Sequence, residues 1–253
     1  MQRHFRAAMI VVGMVIPATV IQAADKLQSP DDRIATAKGD LTIHPIRHAT
    51  FVMGFDGKTI YVDPVGGTEP FTDHARPDLI LITDIHGDHL DADTVAAVTT
   101  DKTRIVAPAA VADKLPAELQ ARTTVLANGK KTTVAGIEIE AIPMYNLTKE
   151  RLKFHSKGRG NGYVLTLGGK RVYISGDTED IPEMRQLEKI DIAFVCMNLP
   201  YTMTVQQAAD AVRAFKPKIV YAYHHRGSDV QEFKRLVARE KGVEVRLRAW
   251  YPK

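Results

Sequence analysis

The sequence predicts an α/β fold of four layers (αββα), in which two mixed β-sheets pack face to face and helices cover both outer faces. Two observations predict it. Each half of the chain begins with short strand segments joined by tight turns, and each continues with helical segments that alternate with apolar strands. No linker or low-complexity segment interrupts the chain after residue 40, so both halves belong to one domain.

The elements of the first half follow in a regular order. The strands "LTIHPI", "TFVMGF" and "KTIYVD" come first, and Asp56-Gly57 between the last two is a strong hairpin signal. The fully apolar strand "DLILIT" leads to the helix "ADTVAAVT", which Asp91 or Asp93 would cap. The strand "RIVAP", the small helix "AAVADKL" and strands around "TTVL", "KTTV" and "GIEIEAIP" complete this half.

The second half repeats this plan. "GYVLTL" and "RVYISG" form another hairpin across the turn "GGK". The helices "IPEMRQLEK", "TVQQAADAVRAF" and "DVQEFKRLVARE" then alternate with the strands "DIAFVCMN", "KIVYAY" and "VEVRLRAW". Because sites in layered α/β proteins collect where strands end, polar residues at those positions are the candidates for chemistry.

The first residues differ from the rest of the chain. Arg3 and Arg6 precede the apolar run "AAMIVVGMVIPATVI", and small residues follow in "QAAD". This pattern predicts a secretory signal peptide over residues 1–23 and a periplasmic location, with an uncleaved membrane anchor as the alternative. A polar leader over residues 24–40 would then precede a domain of residues 41–253.

The composition of the whole chain is that of an ordinary globular protein, with 45% apolar and 25% charged residues. The net charge of +4 is spread along the chain without a block of like charges, so a nucleic-acid partner is not indicated. The single cysteine, Cys196, lies in the apolar segment "IAFVCMNL", which predicts a buried, unreactive thiol.

One segment carries the strongest chemical signal: Thr83–Asp91 reads "TDIHGDHLD" directly after an apolar strand. His86, Asp88 and His89 fall on one tight loop, and Gly87 lets the backbone turn between them. Imidazole and carboxylate ligands at this spacing suit Zn²⁺, and Mn²⁺ or Fe are compatible. The alternative is a polar turn that caps the next helix, but so many histidines and aspartates immediately after a strand favour metal binding.

This segment resembles the metal-binding motif of the metallo-β-lactamase superfamily, whose usual form is Thr-His-x-His-x-Asp-His. The resemblance extends over roughly residues 41–250, since "YISGDT" and "YAYHHR" follow in the order of that family. Within the superfamily the chain most resembles the metal-dependent hydrolases that include the ascorbate-6-phosphate lactonases, on the segments "RHATF", "YVDP", "GNGY" and "SGDT". The resemblance implies the αββα sandwich and a centre of two divalent metal ions, Zn²⁺ by preference.

The resemblance implies a ligand role for each matching residue of the motif. His86 and the residue at position 84 would hold one metal ion, and Asp88 and His89 the second. Asp88 would also act catalytically by orienting the attacking water or passing protons.

Two further ligands would come from the second half of the chain. Asp177, in "SGDT", would bridge both ions, with a turn acid that caps the next helix as the alternative. His224, after the strand "KIVYAY", would be the last ligand, and the adjacent His225 would point elsewhere.

Two departures from the family pattern bear on these ions. Position 84 is Asp84, where the usual motif has His. As a metal ligand, Asp84 would favour harder ions such as Mn²⁺. If it only caps the loop, one of the two metal sites is degenerate. The family's next histidine is missing as well, since Tyr145 and Asn146 stand in its place. His155, further along, would either replace that ligand or bind substrate together with Tyr145 and Asn146.

Neighbouring residues receive secondary roles. His48, in "RHATF", resembles a family position that lines the site and would contact substrate, or would serve only in structural hydrogen bonding. Asp63, in "YVDP", would fix a loop beside the metals. The basic residues around His155 would receive an anionic substrate group or remain solvated: Arg151, Lys153, Lys157 and Arg159.

The function implied is a metal-dependent hydrolase, in which a metal-bound hydroxide attacks an ester, lactone or phosphodiester bond of a small molecule. No "GxSxG" segment competes for the role of nucleophile. A di-iron oxidoreductase is disfavoured, because relatives of that kind usually carry a flavin-binding module for which this chain has no room. The alternative outside the enzymes is a metal- or ligand-binding protein with a degenerate centre.

Overall fold

Two seven-stranded mixed β-sheets form the centre of the molecule in the computed structural model, which describes residues 32–251. The first sheet holds, in spatial order, β1 (Asp32–Thr36), β2 (Gly39–Arg47), β3 (Thr50–Phe55), β4 (Lys58–Val62), β5 (Leu79–Leu81), β6 (Arg104–Ala107) and β7 (Thr123–Val125). The second holds β8 (Lys131–Val134), β9 (Ile137–Met144), β10 (Gly160–Leu167), β11 (Lys170–Ile174), β12 (Ile192–Val195), β13 (Ile219–Ala222) and β14 (Glu244–Arg246). The predicted two-sheet fold is confirmed.

Each sheet begins as an antiparallel meander of four strands and ends with three strands added in parallel. The two predicted hairpins close these meanders. Asp56 and Gly57 have φ of 50° and 69°, and Gly168 and Gly169 have φ of 56° and 80°. Left-handed conformations at both central positions match the twist of the flanking strands, which is why Asp-Gly and Gly-Gly occur there.

Six helices connect the parallel strands: α1 (Ala92–Val98), α2 (Ala109–Ala112), α3 (Ala117–Gln120), α4 (Pro182–Arg185), α5 (Val205–Phe215) and α6 (Val230–Val237). Two 3₁₀ turns, Glu69–Phe71 and Lys149–Arg151, complete the elements of the described chain. Asp91 is the residue that caps α1, because its side chain accepts a hydrogen bond from the Thr94 amide. Among residues 32–251, no helix has the length and apolar character needed to cross a membrane.

Successive side chains of the strands belong to two separate apolar layers. Ile60 and Val62 join a core to which both sheets contribute, whereas Tyr61 between them packs with Phe71 and Val95 beneath the first-half helices. Successive side chains of a strand point to opposite faces, so a sheet with apolar residues on both faces is covered on both. The site therefore lies on a fully packed scaffold.

The start of the domain differs from the prediction. Residues 24–40 are predicted to be a polar leader, but within them Asp32–Thr36 forms β1 and pairs antiparallel with β2. The strand escapes recognition because it is a half-exposed edge strand carrying charged residues, which edge strands favour. The predicted signal peptide, residues 1–23, lies outside the described residues.

Candidate metal centre

Polar side chains from both sheets meet where strands end. The motif loop, residues 83–91, follows β5, and Asp63 follows β4. Asp177 and His224 follow β11 and β13 of the second sheet. The parallel ends of both sheets thus bring together residues that lie far apart in the sequence, as expected for layered α/β proteins.

One group of side chains surrounds the end of the motif. His89 Nε2 lies 3.0 Å from His224 Nε2 and 3.3 Å from Asp177 Oδ2. His224 Nε2 lies 3.3 Å from Asp177 Oδ1 and 3.4 Å from Asp88 Oδ2. The donor atoms of His89, Asp177 and His224 therefore lie close enough together to hold one cation, and Asp88 joins them through its contact with His224.

A second group surrounds Asp84. The Oδ2 atom of Asp84 lies 2.7 Å from His86 Nδ1 and 3.7 Å from His155 Nε2. His155 Nε2 also lies 3.2 Å from Asp177 Oδ2, so Asp177 contacts both groups. His155 is buried although it comes from a loop.

Asp63 fixes the orientation of His89. Its buried carboxylate accepts hydrogen bonds from the Thr83 amide at 2.7 Å and from Thr83 Oγ1 at 2.6 Å. His89 Nδ1 lies 2.8 Å from Asp63 Oδ2 and donates to it. With one proton held on Nδ1, His89 turns Nε2 towards the cluster, where its lone pair would bind an ion, which is how carboxylates usually orient metal-binding histidines.

Tyr145 and Asn146 do not line the cluster. The Tyr145 hydroxyl donates to Glu183 at 2.9 Å, away from the motif loop. Asn146 supports His155 instead. Its backbone N–H donates to the His155 carbonyl at 2.9 Å, and its side-chain Nδ2 donates to the Tyr201 carbonyl at 2.7 Å. His155 Nδ1 lies 3.2 Å from both the Tyr201 carbonyl oxygen and Asn146 Nδ2, and these contacts hold the ring with Nε2 towards the cluster.

His48 contacts the cluster through Asp88. Its Nε2 lies 2.9 Å from Asp88 Oδ2, and its Nδ1 lies 2.7 Å from the hydroxyl of Tyr251, a residue that the sequence does not single out. Burial lowers the pKa of His48. His225 packs its ring against Tyr251, with ring centres 4.8 Å apart, and only its neighbour His224 faces the cluster.

Arg159 is the one basic residue of the His155 loop that reaches the cluster. Its Nε and Nη2 donate to the two oxygens of Asp84 at 3.2 and 3.1 Å. Burial opposes ionisation of Asp84, but the hydrogen bond with His86 and the nearby charges keep its pKa below the ordinary value. The other three basic residues have partners elsewhere: Arg151 on Glu179, Lys157 on Glu183, and Lys153 over the ring of Phe154.

The electrostatics of the cluster favour a positive charge at its centre. Burial alone would raise the pKa of Asp177, but His224 and His89 hold it well below its usual range. Burial would lower the pKa of His89, yet Asp177 and Asp63 raise it well above the ordinary value. A proton on His89 therefore balances the buried carboxylates in the free protein, and a divalent ion would take the place of that proton.

The chemistry of the donor set fits a metal. Asp177 Oδ1 and His155 Nε2 are buried, and neither has a hydrogen-bond partner within the described chain. Asp63, Asp84 and Asp177 are buried carboxylates, and Asp84 alone among them has a guanidinium partner. Buried acceptors without donors are costly unless a cation satisfies them, so these residues suit divalent ions.

Backbone strain marks the same region. His48, Asp63 and His224 adopt left-handed φ values of 54°, 46° and 45°. Side chains other than glycine reach this conformation at a cost of order 1–3 kcal/mol, and such residues collect at functional sites. Each of these three residues touches the cluster or a residue of the cluster, so the strain serves to aim their side chains.

Two cavities open onto the cluster. A cavity of about 240 Å³ lies against His86, His155 and Asp177, and a larger cleft of about 990 Å³ lies against His48 and Asp88. The smaller one is also lined by Phe154, Asn198, Tyr201 and Arg226. Asn198 and Arg226 are not among the site residues that the sequence predicts. Asn198 lies shortly after the end of β12, and Arg226 lies two residues after His224, so their positions could have indicated them.

Comparison with known proteins identifies the family. The family model described as "Beta-lactamase superfamily domain" matches residues 42–224. The chain belongs to this superfamily. A metal-dependent hydrolase from Pyrococcus abyssi is 32% identical over 216 residues, which span 78% of this chain and 92% of the relative. Membership in the superfamily and the similarity to this relative place the chain among the metal-dependent hydrolases of the superfamily.

Solved structures agree with this assignment. A metal-dependent hydrolase from Parabacteroides distasonis is 44% identical, with a TM-score of 0.81, and the match covers 89% of this chain and all of the other. A metallo hydrolase from Ignicoccus hospitalis shares the fold, with 22% identity and a TM-score of 0.68. The match covers 82% of this chain and 94% of that protein.

Proposed function

We propose that this superfamily member is a hydrolase of small-molecule esters or lactones that binds two divalent ions, Zn²⁺ by preference, with Mn²⁺ or Fe compatible. The position of Asp177 carries the proposal, because its carboxylate lies within 3.3 Å of histidines from both groups. Asp84, His86 and His155 would hold the first ion, Asp88, His89 and His224 the second, and Asp177 would contact both.

Bound divalent ions would polarise a scissile carbonyl or phosphoryl group and make water a stronger acid. The protein's own residues supply the rest. Asp88, whose side chain is 41% exposed, borders both cavities, so its carboxylate can accept a hydrogen bond from water near the substrate and orient it. His48 holds that carboxylate in place through the contact at Oδ2.

Arg226 supports a substrate with an anionic group. It lines both cavities, and within residues 32–251 its guanidinium has no acidic partner. Phe154 and Tyr201 offer ring surfaces beside it, and the buried side-chain oxygen of Asn198 has no hydrogen-bond partner in the described part of the chain. A substrate that places a carboxylate or phosphate on Arg226 would bring its ester bond towards Asp88.

Metal analysis followed by a substrate panel tests the proposal. Purified protein loaded with Zn²⁺, Mn²⁺ or Fe should hold about two ions per chain and turn over an ester or lactone faster than matched phosphodiesters. Asp177→Ala should lose metal and turnover while keeping its circular dichroism spectrum. Folded wild-type protein that takes up none of these ions would refute the proposal, and preferential phosphodiester cleavage would replace the substrate class.

A second candidate is a metal- or ligand-binding protein with a degenerate centre. The observation that favours it is the pairing of Arg159 with both oxygens of Asp84, which competes with an ion for that carboxylate. One tightly bound ion per chain without turnover on the panel would support this candidate over the hydrolase.

The proposal includes export to the periplasm, which the pattern of residues 1–23 predicts. It also includes the narrower resemblance to the ascorbate-6-phosphate lactonases. Fractionation of cells that produce the full chain would test the first. Hydrolysis of a sugar-phosphate lactone in the substrate panel would test the second.

A further inference from the structure

The contact between Arg159 and Asp84 is built into the fold. Arg159 directly precedes β10, and a Cβ atom at the next residue, Gly160, would lie 2.9 Å from the Thr83 carbonyl oxygen. The absence of that side chain lets the start of β10 lie against the motif loop, where the Asn161 amide donates to the same carbonyl at 2.9 Å. Arg159 is thereby held beside Asp84.

The geometry of the pair is that of a fixed, two-pronged ion pair. Asp84 is fully buried, and the Arg159 side chain is only 19% exposed. Arg159 Nη2 also donates to the Phe154 carbonyl, which anchors the guanidinium from the other side. Asp84 Oδ2 remains the oxygen nearest to His86 and His155, so the pair faces the first metal position.

We propose that Arg159 offsets the charge that Asp84 brings to the first metal position, so that the Asp84–Arg159 pair acts there as one ligand of nearly zero net charge. Where the family motif has a neutral imidazole, this chain has a carboxylate of charge −1 with a guanidinium of charge +1 on its outer side. The planar fork of arginine suits this role, since it binds both oxygens of a carboxylate and does not lose its proton.

The sign of the effect follows from linkage. Without an ion, Arg159 stabilises the buried carboxylate; with an ion bound, the same guanidinium repels it. Removing the guanidinium therefore destabilises the ion-free protein more than the ion-bound protein, and the ion binds more tightly. A residue that merely positioned Asp84 would have the opposite effect on affinity. The inference rests on the proposed metal centre.

The test measures Zn²⁺ affinity and stoichiometry by competition with a chromophoric chelator, without any substrate. Arg159→Gln should bind the weaker of the two ions about tenfold more tightly, a change of the size that mutating residues beside metal ligands usually causes but of the opposite sign. Arg159→Lys, which keeps the charge, should stay within about threefold of wild type. Arg235→Gln is the matched control, because it breaks an arginine–carboxylate pair with Glu232 on the exposed face of α6.

A second pair of variants decides the question even if Arg159→Gln does not fold. Asp84→His alone should weaken ion binding at the first position about tenfold, since it leaves the guanidinium uncompensated. Adding Arg159→Gln to Asp84→His should restore most of that loss. Weaker or unchanged binding in Arg159→Gln, or a double variant no better than Asp84→His, overturns the inference alone. Wild-type protein that binds no ion overturns the proposed function and the inference with it.

Discussion

Replacing Asp63 by Asn should weaken metal binding, although Asp63 contacts the cluster only through the ring of His89. Its carboxylate accepts three hydrogen bonds, one of them from His89 Nδ1 at 2.8 Å. Asn keeps the shape but turns an NH₂ group towards His89 or towards the Thr83 hydroxyl. His89 then moves its proton to Nε2, the atom that faces His224, and its lone pair no longer points into the cluster.

The expected size follows from the bond that is lost. A hydrogen bond to a charged group contributes about 1.5–3 kcal/mol, and every 1.4 kcal/mol corresponds to a factor of ten in affinity. Both figures agree with the 10–100-fold loss typical of residues that orient metal-binding histidines. Zn²⁺ affinity of Asp63→Asn should therefore fall about 10–100-fold in a chelator competition assay.

The control for this change is Asp78→Asn. Asp78 directly precedes β5 and lies beside the start of β4, at the other end of these two strands, where its carboxylate accepts a hydrogen bond from the Thr59 amide at 2.9 Å. Its variant should keep wild-type metal affinity, whatever its effect on stability. A Zn²⁺ affinity of Asp63→Asn within twofold of wild type would show that Asp63 does not set the orientation of His89, and the argument from hydrogen bonding would fail.

Three further predictions concern the ligand loop, the thiol and the core. His155→Ala should lower metal occupancy at the first position about tenfold or more by elemental analysis, and unchanged metal content with unchanged kinetics would remove His155 from the site. Burial raises the pKa of Cys196 to about 12, so the thiol stays protonated and should resist an aromatic disulfide reagent at pH 8 until denaturant is added; rapid labelling of native protein would contradict this. Trp250 is fully buried beside Phe51 and Tyr223, so Trp250→Ala should cost about 3–5 kcal/mol in urea unfolding, and a loss under 1 kcal/mol would mean that the site collapses around the gap.

The features that the sequence predicts well are local ones. The hairpin turns at Asp56-Gly57 and Gly168-Gly169 depend on a few adjacent residues, as does the cap at Asp91. The two-sheet order follows from the same local signals applied twice. By contrast, β1 has polar residues and one exposed face, so its pairing with β2 is visible only in the folded chain.

Contacts between distant residues limit what the sequence shows of the site. Tyr251 meets His48 across 203 positions, and Arg159 meets Asp84 across 75. Neither pair has a local pattern, because any loop residue of suitable length could make such a contact. The sequence leaves Arg159 as one of four basic residues that either receive an anionic substrate group or remain solvated, but its partner is the protein's own carboxylate.

Both departures from the family motif involve the single segment between β9 and β10. That segment carries His155 into the neighbourhood of Asp177 and ends with Arg159 against Asp84. Under the proposed function, one loop thus supplies the missing nitrogen ligand and neutralises the added carboxylate. Because Arg159 pairs with the carboxylate of Asp84, restoring a histidine at position 84 without changing Arg159 leaves an unpaired guanidinium beside the ion. We therefore expect Asp84→His to keep ion binding at the first position only when Arg159 is changed with it. A first position that binds Zn²⁺ equally well in Asp84→His and in Asp84→His with Arg159→Gln would disprove this coupling.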